Sequence, residues 1–422
     1  MEEVDNLIIL LTEAKEAIVT NEPHKLKILS DQTIHSATIY QDTDSILVAV
    51  IVYSLGKITE REGYRLMEGW DEFYKTFVMN IDEGIKALEK RDEQKFIACL
   101  GAIRNSINTI SGSLSNYIKD VFYKAEINKA FKLYEHGLSA EKTADLLGVS
   151  LWDLAGYIGQ STVSESHLNE AVPIKERVAR AREIRKVKNI VLDAGPLISL
   201  TLTGTLFVLD RFKKQFPEIE FIITPQVKEE TIDKAWIVKK YELEAVKLQN
   251  LIDRGIIKLS SDFIPHAQIE KETARIMKLA NSAYRAGGEN LKLIHTGEAS
   301  CLAFGSLCKC ENLIVVDERT VRLFSESPEN LKAITERKLH MNVNYNPKNT
   351  KEFKDFSFIR SSELLFLAFE LNLLDYSKEP KVLDALLYAT KFSGNSISTK
   401  EIEEMKTLVI SDSITKNNKP ST

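Results

Sequence analysis

After Asn189 the apolar residues of this chain change their spacing, and that change constrains the fold more than any other feature. Short β-branched runs alternate with longer segments of three- and four-residue apolar spacing. The strand candidates are IVLDAG from Ile190, EFIITP from Glu220, GIIKLSS from Gly255 and NLIVVDE from Asn312. Helices are expected through LISLTLTGTLFVLDRF, as one long segment from Gln226 into AVKLQNLIDRG, around Lys271 to Arg285, and from Glu298 through ASCLAFGSLCKC. Strand and helix in turn imply a mostly parallel sheet with helices on both faces. Two further stretches, SSELLFLAFELNLL and KVLDALLYATKFSGNSISTKEIEEM, add helices, and the closing TKNNKPST is expected to be disordered.

Upstream the pattern is helical throughout. No proline falls between Pro23 and Pro173, so nothing forces the helices to break. The expected organisation is therefore multidomain, an all-α region followed by an α/β domain. Its parts are a helical domain over 1–123, a helix-turn-helix-like segment over 124–170, a basic linker over 171–188, the α/β domain over 189–410 and a tail over 411–422. The linker is expected to be helical and holds Lys175, Arg177, Arg180, Arg182, Arg185, Lys186 and Lys188 against Glu176 and Glu183. In the segment before it, a helix is expected to end at Gly137, Ser139 to cap AEKTADLL, Gly148 to turn the chain and Ser150 to cap LWDLAGYI.

Composition narrows the function classes. With 422 residues, 44% hydrophobic and 28% charged, the chain has material for more than one core. A net charge of -5 excludes a generic polyanion binder, so any nucleic-acid contact must come from local basic patches. The four cysteines, Cys99, Cys301, Cys308 and Cys310, lack the paired spacing of a zinc ribbon and suit free thiols in a reducing cytosol. The acidic start lacks the basic flank and cleavage site of a signal peptide. The longest apolar run, Ile46–Leu55, is half of the ~20 residues that span a bilayer. It reads as a buried helix, and a cytoplasmic protein without a membrane partner is expected.

The acids carry the chemistry. Asp193 ends the first strand and Asp317 the fourth. Glu230, with Glu229 beside it, falls in the first turn after FIITP, and Glu298 opens a helix in HTGEAS. Each alone has a plain explanation, because first-turn glutamates suit the helix dipole and aspartates start turns. Together they fall where an open parallel sheet gathers its ligands, at the carboxyl ends of strands. Carboxylates crowded there repel, and divalent cations relieve the repulsion. Hard oxygen donors suit Mg2+ or Mn2+, which activate water and hold a phosphate for in-line displacement.

In order and context, VLDAGPLISL, TPQVKEE, GEAS and IVVDERTVR resemble the PIN domain family over about residues 189–410. The resemblance implies a fold similar to flap nucleases and a Mg2+- or Mn2+-dependent ribonuclease, with Asp193, Glu230, Glu298 and Asp317 as metal-holding catalytic residues. Family spacing selects Glu230 over Glu229. Arg319 and Arg322 are candidate phosphate contacts, Thr320 a candidate partner of a metal-bound water, and Lys309 reads as solvated charge. Residues 334–359 are longer and more basic than the matching region of a minimal PIN domain and read as a surface loop, with a substrate-contacting insertion as the alternative. Arg180, Arg182 and Arg185 are placed to track an RNA backbone, with a solvated helix face as the alternative.

The stretch GLSAEKTADLLGVSLWDLAGYIG resembles a helical segment of prokaryotic antitoxins that accompany PIN toxins. Toxin and antitoxin parts in one chain imply a self-regulated or repurposed nuclease. The second helix carries no Arg, Lys, Asn or Gln for base edges, so direct sequence-specific DNA reading is not expected. Trp152, Leu154 and Tyr157 suit packing or a homodimer contact. His24 and His35 lack the preceding Arg of HEPN-type nucleases. The expected function is a metal-dependent endoribonuclease acting on RNA. The alternative is a non-catalytic nucleic-acid-binding regulator or scaffold.

Overall fold

A computed structural model describes residues 4–40, 43–109, 113–161, 163–308 and 310–417. Lys309 and residues 418–422 of the expected tail lie outside the described residues. The chain divides into two compact units, one of residues 1–136 with 143–149, the other of residues 137–142 with 150–422. The stretch 124–170 is thus shared between them. Among the described residues no helix is long and apolar enough to cross a membrane.

The first unit is helical. Its centre is Thr43–Thr59, the helix carrying the longest apolar run, buried from Ser45 to Thr59 at nearly every position. A helix apolar on all sides must be covered on all sides. Pro23–Tyr40 and Ser113–Glu135 pack against it, and the Ser30 hydroxyl donates to the Ala49 carbonyl at 2.6 Å between helices. Lys129 is wholly buried and is held by Asp31 at 2.7 Å and by the Tyr53 ring at 4.2 Å. His35 meets the edge of the His136 ring.

The second unit contains the sheet. Its strands are β1 (Asn189–Leu192), β2 (Glu220–Ile223), β3 (Ile257–Leu259), β4 (Tyr284–Ala286), β5 (Glu289–Asn290), β6 (Asn312–Val315), β7 (Val343–Tyr345) and β8 (Phe358–Ile359). Five of them form a wholly parallel sheet in the order β3-β2-β1-β6-β8. From β1 the chain winds outward to β3, then returns to the other side of β1 with β6. The carboxyl ends of β1 and β6 therefore flank the point where winding reverses, the place where such sheets form a crevice. A small antiparallel sheet, β5-β4-β7, lies apart from the main one.

Several expectations need correction. The helix after β1 is two, Ala194–Leu202 and Val208–Gln215, separated at Gly204, which takes φ +70°. The long helix from Gln226 is interrupted by a π-helical turn at Glu229–Asp233 and ends at Ile237 before Glu242–Asp253 begins. The helix expected around Lys271–Arg285 stops at Ala280, and Tyr284 and Arg285 belong to β4. Residues 334–359 are no surface loop. They hold the end of helix Pro328–Leu339, then β7, a helical turn and the edge strand β8. Helix Thr399–Asn417 takes in the start of the expected tail. Residues 171–188, read as a basic helical linker, are helical over Ile174–Arg182, but that helix is packed and buries Ile174, Val178 and Ala181. On its inner face the Arg177 guanidinium is buried against Glu326.

The helix-turn-helix-like segment forms Ala140–Leu147 and Leu151–Gly159, with Ser150 capping the second through the Trp152 N–H. That second helix is internal packing. Trp152 and Leu154 are buried, Trp152 stacks on Tyr241, and Asp153 accepts from the Tyr241 hydroxyl and Lys240, each at 2.7 Å. Gly159 lies so close to helix Pro380–Phe392 that a Cβ there would meet the Phe392 carbonyl oxygen at 2.2 Å, while Gly156 has nothing within 4 Å of such an atom. Gly159→Ala is therefore expected to destabilise the chain by about 1–3 kcal/mol. Gly156→Ala is expected to stabilise it by about 0.5–1 kcal/mol. Urea unfolding of the two variants checks the pair.

Candidate functional site

The four acids picked from the sequence converge at the β1–β6 switch point. The Asp193 N–H still reaches Val315 O at 3.1 Å, so the chain leaves the sheet only after this residue. Asp193 occupies the N-cap position of Ala194–Leu202, yet its side chain makes no capping bond and is left for the site. Gly195 keeps the approach open, since a Cβ there would lie 3.3 Å from Asp317 Cβ and 3.9 Å from Asp193 Oδ2. Asp317 follows β6 by two residues and is anchored. Its Oδ1 accepts from Ser361 N at 2.7 Å and Asn395 Nδ2 at 3.0 Å, and its Oδ2 from the Ser361 hydroxyl at 2.8 Å.

The two glutamates come from helix starts. Glu298 is the third residue of Thr296–Leu307. Its Oε2 accepts from His295 N–H at 2.8 Å, and its Oε1 has no hydrogen-bond partner. Glu230 sits in the π-helical turn after β2. The wide turn directs Glu230 inward, 6% exposed, and leaves Glu229 in solvent. Glu230 Oε2 also has no hydrogen-bond partner.

Three further residues complete the cluster, and the sequence reading missed them. Glu318 accepts from Ala140 N–H at 2.9 Å through Oε2, takes a bond from the Thr320 hydroxyl, and leaves Oε1 without a partner. Glu141, on the first turn of Ala140–Leu147, accepts from Gly297 N–H at 3.2 Å and touches His295 Nδ1. A Cβ at Gly297 would stand 2.8 and 2.9 Å from the Glu230 oxygens and 2.9 Å from Glu141 Oε2. Glycine is required there because carboxylates occupy the space. Ligand atoms of Glu141, Glu230 and His295 lie within 4.8 Å of one another, a set able to hold a metal ion. A signal for Glu318 existed in its adjacency to Asp317 and for His295 in its place three residues before Glu298; Glu141 had none.

Burial dominates the electrostatics. It pushes the Asp193 carboxyl up to about 8, with the charges of Glu141, Glu318 and Asp317 adding to it. Burial, then Glu141, holds Glu230 well above the usual carboxylate range, and burial, then Glu318 and Asp193, does the same for Glu298. Glu318 rises to about 7, again chiefly through burial. For Glu141 burial is outweighed by hydrogen bonds from Glu230 and His295, and its carboxyl falls below the usual value. Crowding of buried carboxylates is relieved in general by protons or by a divalent cation.

The basic candidates are not brought to the acids in the same way. Arg322 is buried and donates to the carbonyls of Glu318 and Ser396, each at 3.2 Å, bracing the interior. Burial, with Arg177 and Arg360 nearby, pushes it down to about 9. Arg319 and Thr320 are buried as well. Arg180 pairs with Glu176 at 2.7 Å, Arg182 with Glu370 at 2.9 Å, and Arg185 lies over the Phe216 ring. Arg185 precedes β1 by a few residues and so stands toward its amino end. The acids stand past its carboxyl end, about 13 Å away along a four-residue strand.

An acid whose folded pKa is raised contributes stability below its unfolded value, near 4, and loses it as pH climbs to the folded value. Asp193 loses that stability by about pH 8. Asp193→Asn cannot ionise. In chelator, its melting temperature relative to wild type is expected to climb between about pH 5 and pH 8, by about 2–4 °C for each kcal/mol gained. A pH-independent offset would contradict the proton-retaining cluster.

No family model, curated protein or solved structure matches the chain, so its functional reading rests on this geometry.

Proposed function

We propose that this chain is a metal-dependent endoribonuclease of PIN type. Asp193, Glu230, Glu298 and Asp317 hold one or two Mg2+ or Mn2+ ions. The observation that carries the reading is the convergence of these four acids at the switch point, with carboxylate oxygens of Glu230 and Glu298 left unbonded in the interior. Buried acceptors without donors are costly, and a cation satisfies them. Their oxygens are hard ligands, which favours Mg2+ or Mn2+ over softer ions.

When bound, the metal supplies an activated water and neutralises charge on the phosphate. The residues of this chain have separate tasks. Asp317, gripped by Ser361 and Asn395, fixes one side of the site. Asp193 faces it across Gly195, where the missing side chain leaves room for a reacting group. Glu298 is aimed by its bond to the His295 N–H. The buried walls exclude bulk water. RNA is the proposed substrate, and cleavage leaves a 3'-hydroxyl and a 5'-phosphate.

A second reading has its own observation. The acids are nearly closed from solvent and Glu141 stands among them, as expected of a PIN-like scaffold that binds nucleic acid without turnover. Cleavage of labelled mixed-sequence RNA in Mn2+, Mg2+ or chelator separates the two. The nuclease is expected to cut only with metal. Asp193→Asn and Glu298→Gln are each expected to lose about 10–100-fold or more of that rate. RNA binding without metal-dependent cutting would support the scaffold.

A further inference from the structure

The nuclease reading uses oxygen ligands alone and leaves two members of the cluster without a task, His295 and Glu141. They lie together. The His295 imidazole approaches Glu141 through Nδ1, and Glu141 in turn faces Glu230 across the open surface of Gly297. Glu141 and Glu230 are each 6% exposed, and Glu230 Oε2 is buried with no donor to answer it. His295 stands at the rim, its side chain 16% exposed, which gives an ion a way in.

We propose that His295, Glu141 and Glu230 form a second cation site, one suited to a borderline divalent ion such as Zn2+. The donor set decides the class. One imidazole nitrogen with two carboxylates is a zinc-type set with three protein ligands and an open fourth position, whereas Mg2+ avoids nitrogen. The spacing fits. Donor atoms each about 2 Å from one ion lie roughly 3–4 Å apart. The three atoms here lie within 4.8 Å of one another, so closing on an ion takes side-chain adjustments of about 1 Å. Gly297 supplies the room, because any Cβ at that position would stand against the carboxylate oxygens.

The site is built across two distant parts of the sequence. Glu230 and His295 belong to the edge of the sheet, while Glu141 arrives on the segment 137–142, whose Ala140 N–H also reaches Glu318. An ion held by all three residues ties that segment over the acids. Zinc is then a clamp that closes the proposed nuclease centre, and its binding competes for Glu230.

The inference shares Glu230 with the nuclease reading, and its test reads ion binding separately from cleavage. Metal-stripped full-length protein is titrated with zinc alone by calorimetry, with melting temperature as a second readout. Wild type is expected to take up one zinc. Glu141→Gln and His295→Gln are each expected to weaken it by about 10-fold or more. Circular dichroism checks that both variants fold. His266→Gln, at an exposed histidine paired with Glu270 and outside both proposed sites, is expected to keep zinc affinity within about threefold. No zinc uptake by wild type overturns the proposal. So does unchanged affinity in folded Glu141→Gln and His295→Gln, or loss of zinc in His266→Gln equal to theirs. If the nuclease reading fails, zinc uptake still follows this pattern without metal-dependent cleavage of RNA.

Discussion

The parallel pairing of β1 with β6 is what the site depends on. Residues 189–192 and 312–315 align one to one, and the ladder runs one bond further through Asp193. This places the two aspartates that follow these strands beside one another, though more than a hundred residues separate them in the chain. The first strand is buried along its length and the second from Leu313 on, and a slip of one residue would exchange every side chain between the two faces. The apolar cover on both faces therefore sets the position of the charged groups at the end. Packing fixes the geometry, and the geometry raises the pKa values.

Much of this was legible because a parallel sheet has a polarity that sequence displays. Strands ending in acids, and helices opening with them, can be read without knowing which strand neighbours which. What escaped notice has physical reasons. Glu141 comes from a helix far upstream, and nothing local distinguishes a first-turn glutamate that enters a cluster from one that faces water. Glu318 was hidden by its neighbour, since reading one acid per strand end overlooks the next residue. The choice between Glu230 and Glu229 lay in a π-helical turn that hydrophobic spacing does not reveal. Arg322 was expected at an edge, but its carbonyl partners at Glu318 and Ser396 lie inside.

The basic helix shows the same limit for pairs. Arg177, Arg180 and Arg182 meet Glu326, Glu176 and Glu370, two of which lie far along the chain. Counting charges in the stretch 173–189 makes a basic patch, while tertiary pairing neutralises part of it. The breaks in the two long helices have a different origin. Gly204 turns the chain in a left-handed conformation, and the segment after Ile237 leaves the helix with an extended Val238.

The π-helical turn has a consequence for how the site can change. Its five residues hold one more than a regular turn requires, and the surplus falls on an adjacent pair of identical residues, Glu229 and Glu230. Loss of either one leaves the same protein and lets the helix close in regular form. Buried residues hold the helix on both sides, Val227 before the turn and Ala235 after it. The remaining glutamate would follow whichever anchor kept its seat, facing solvent with the first and the acids with the second. One deletion thus sets the register of the helix against the chemistry of its inner face.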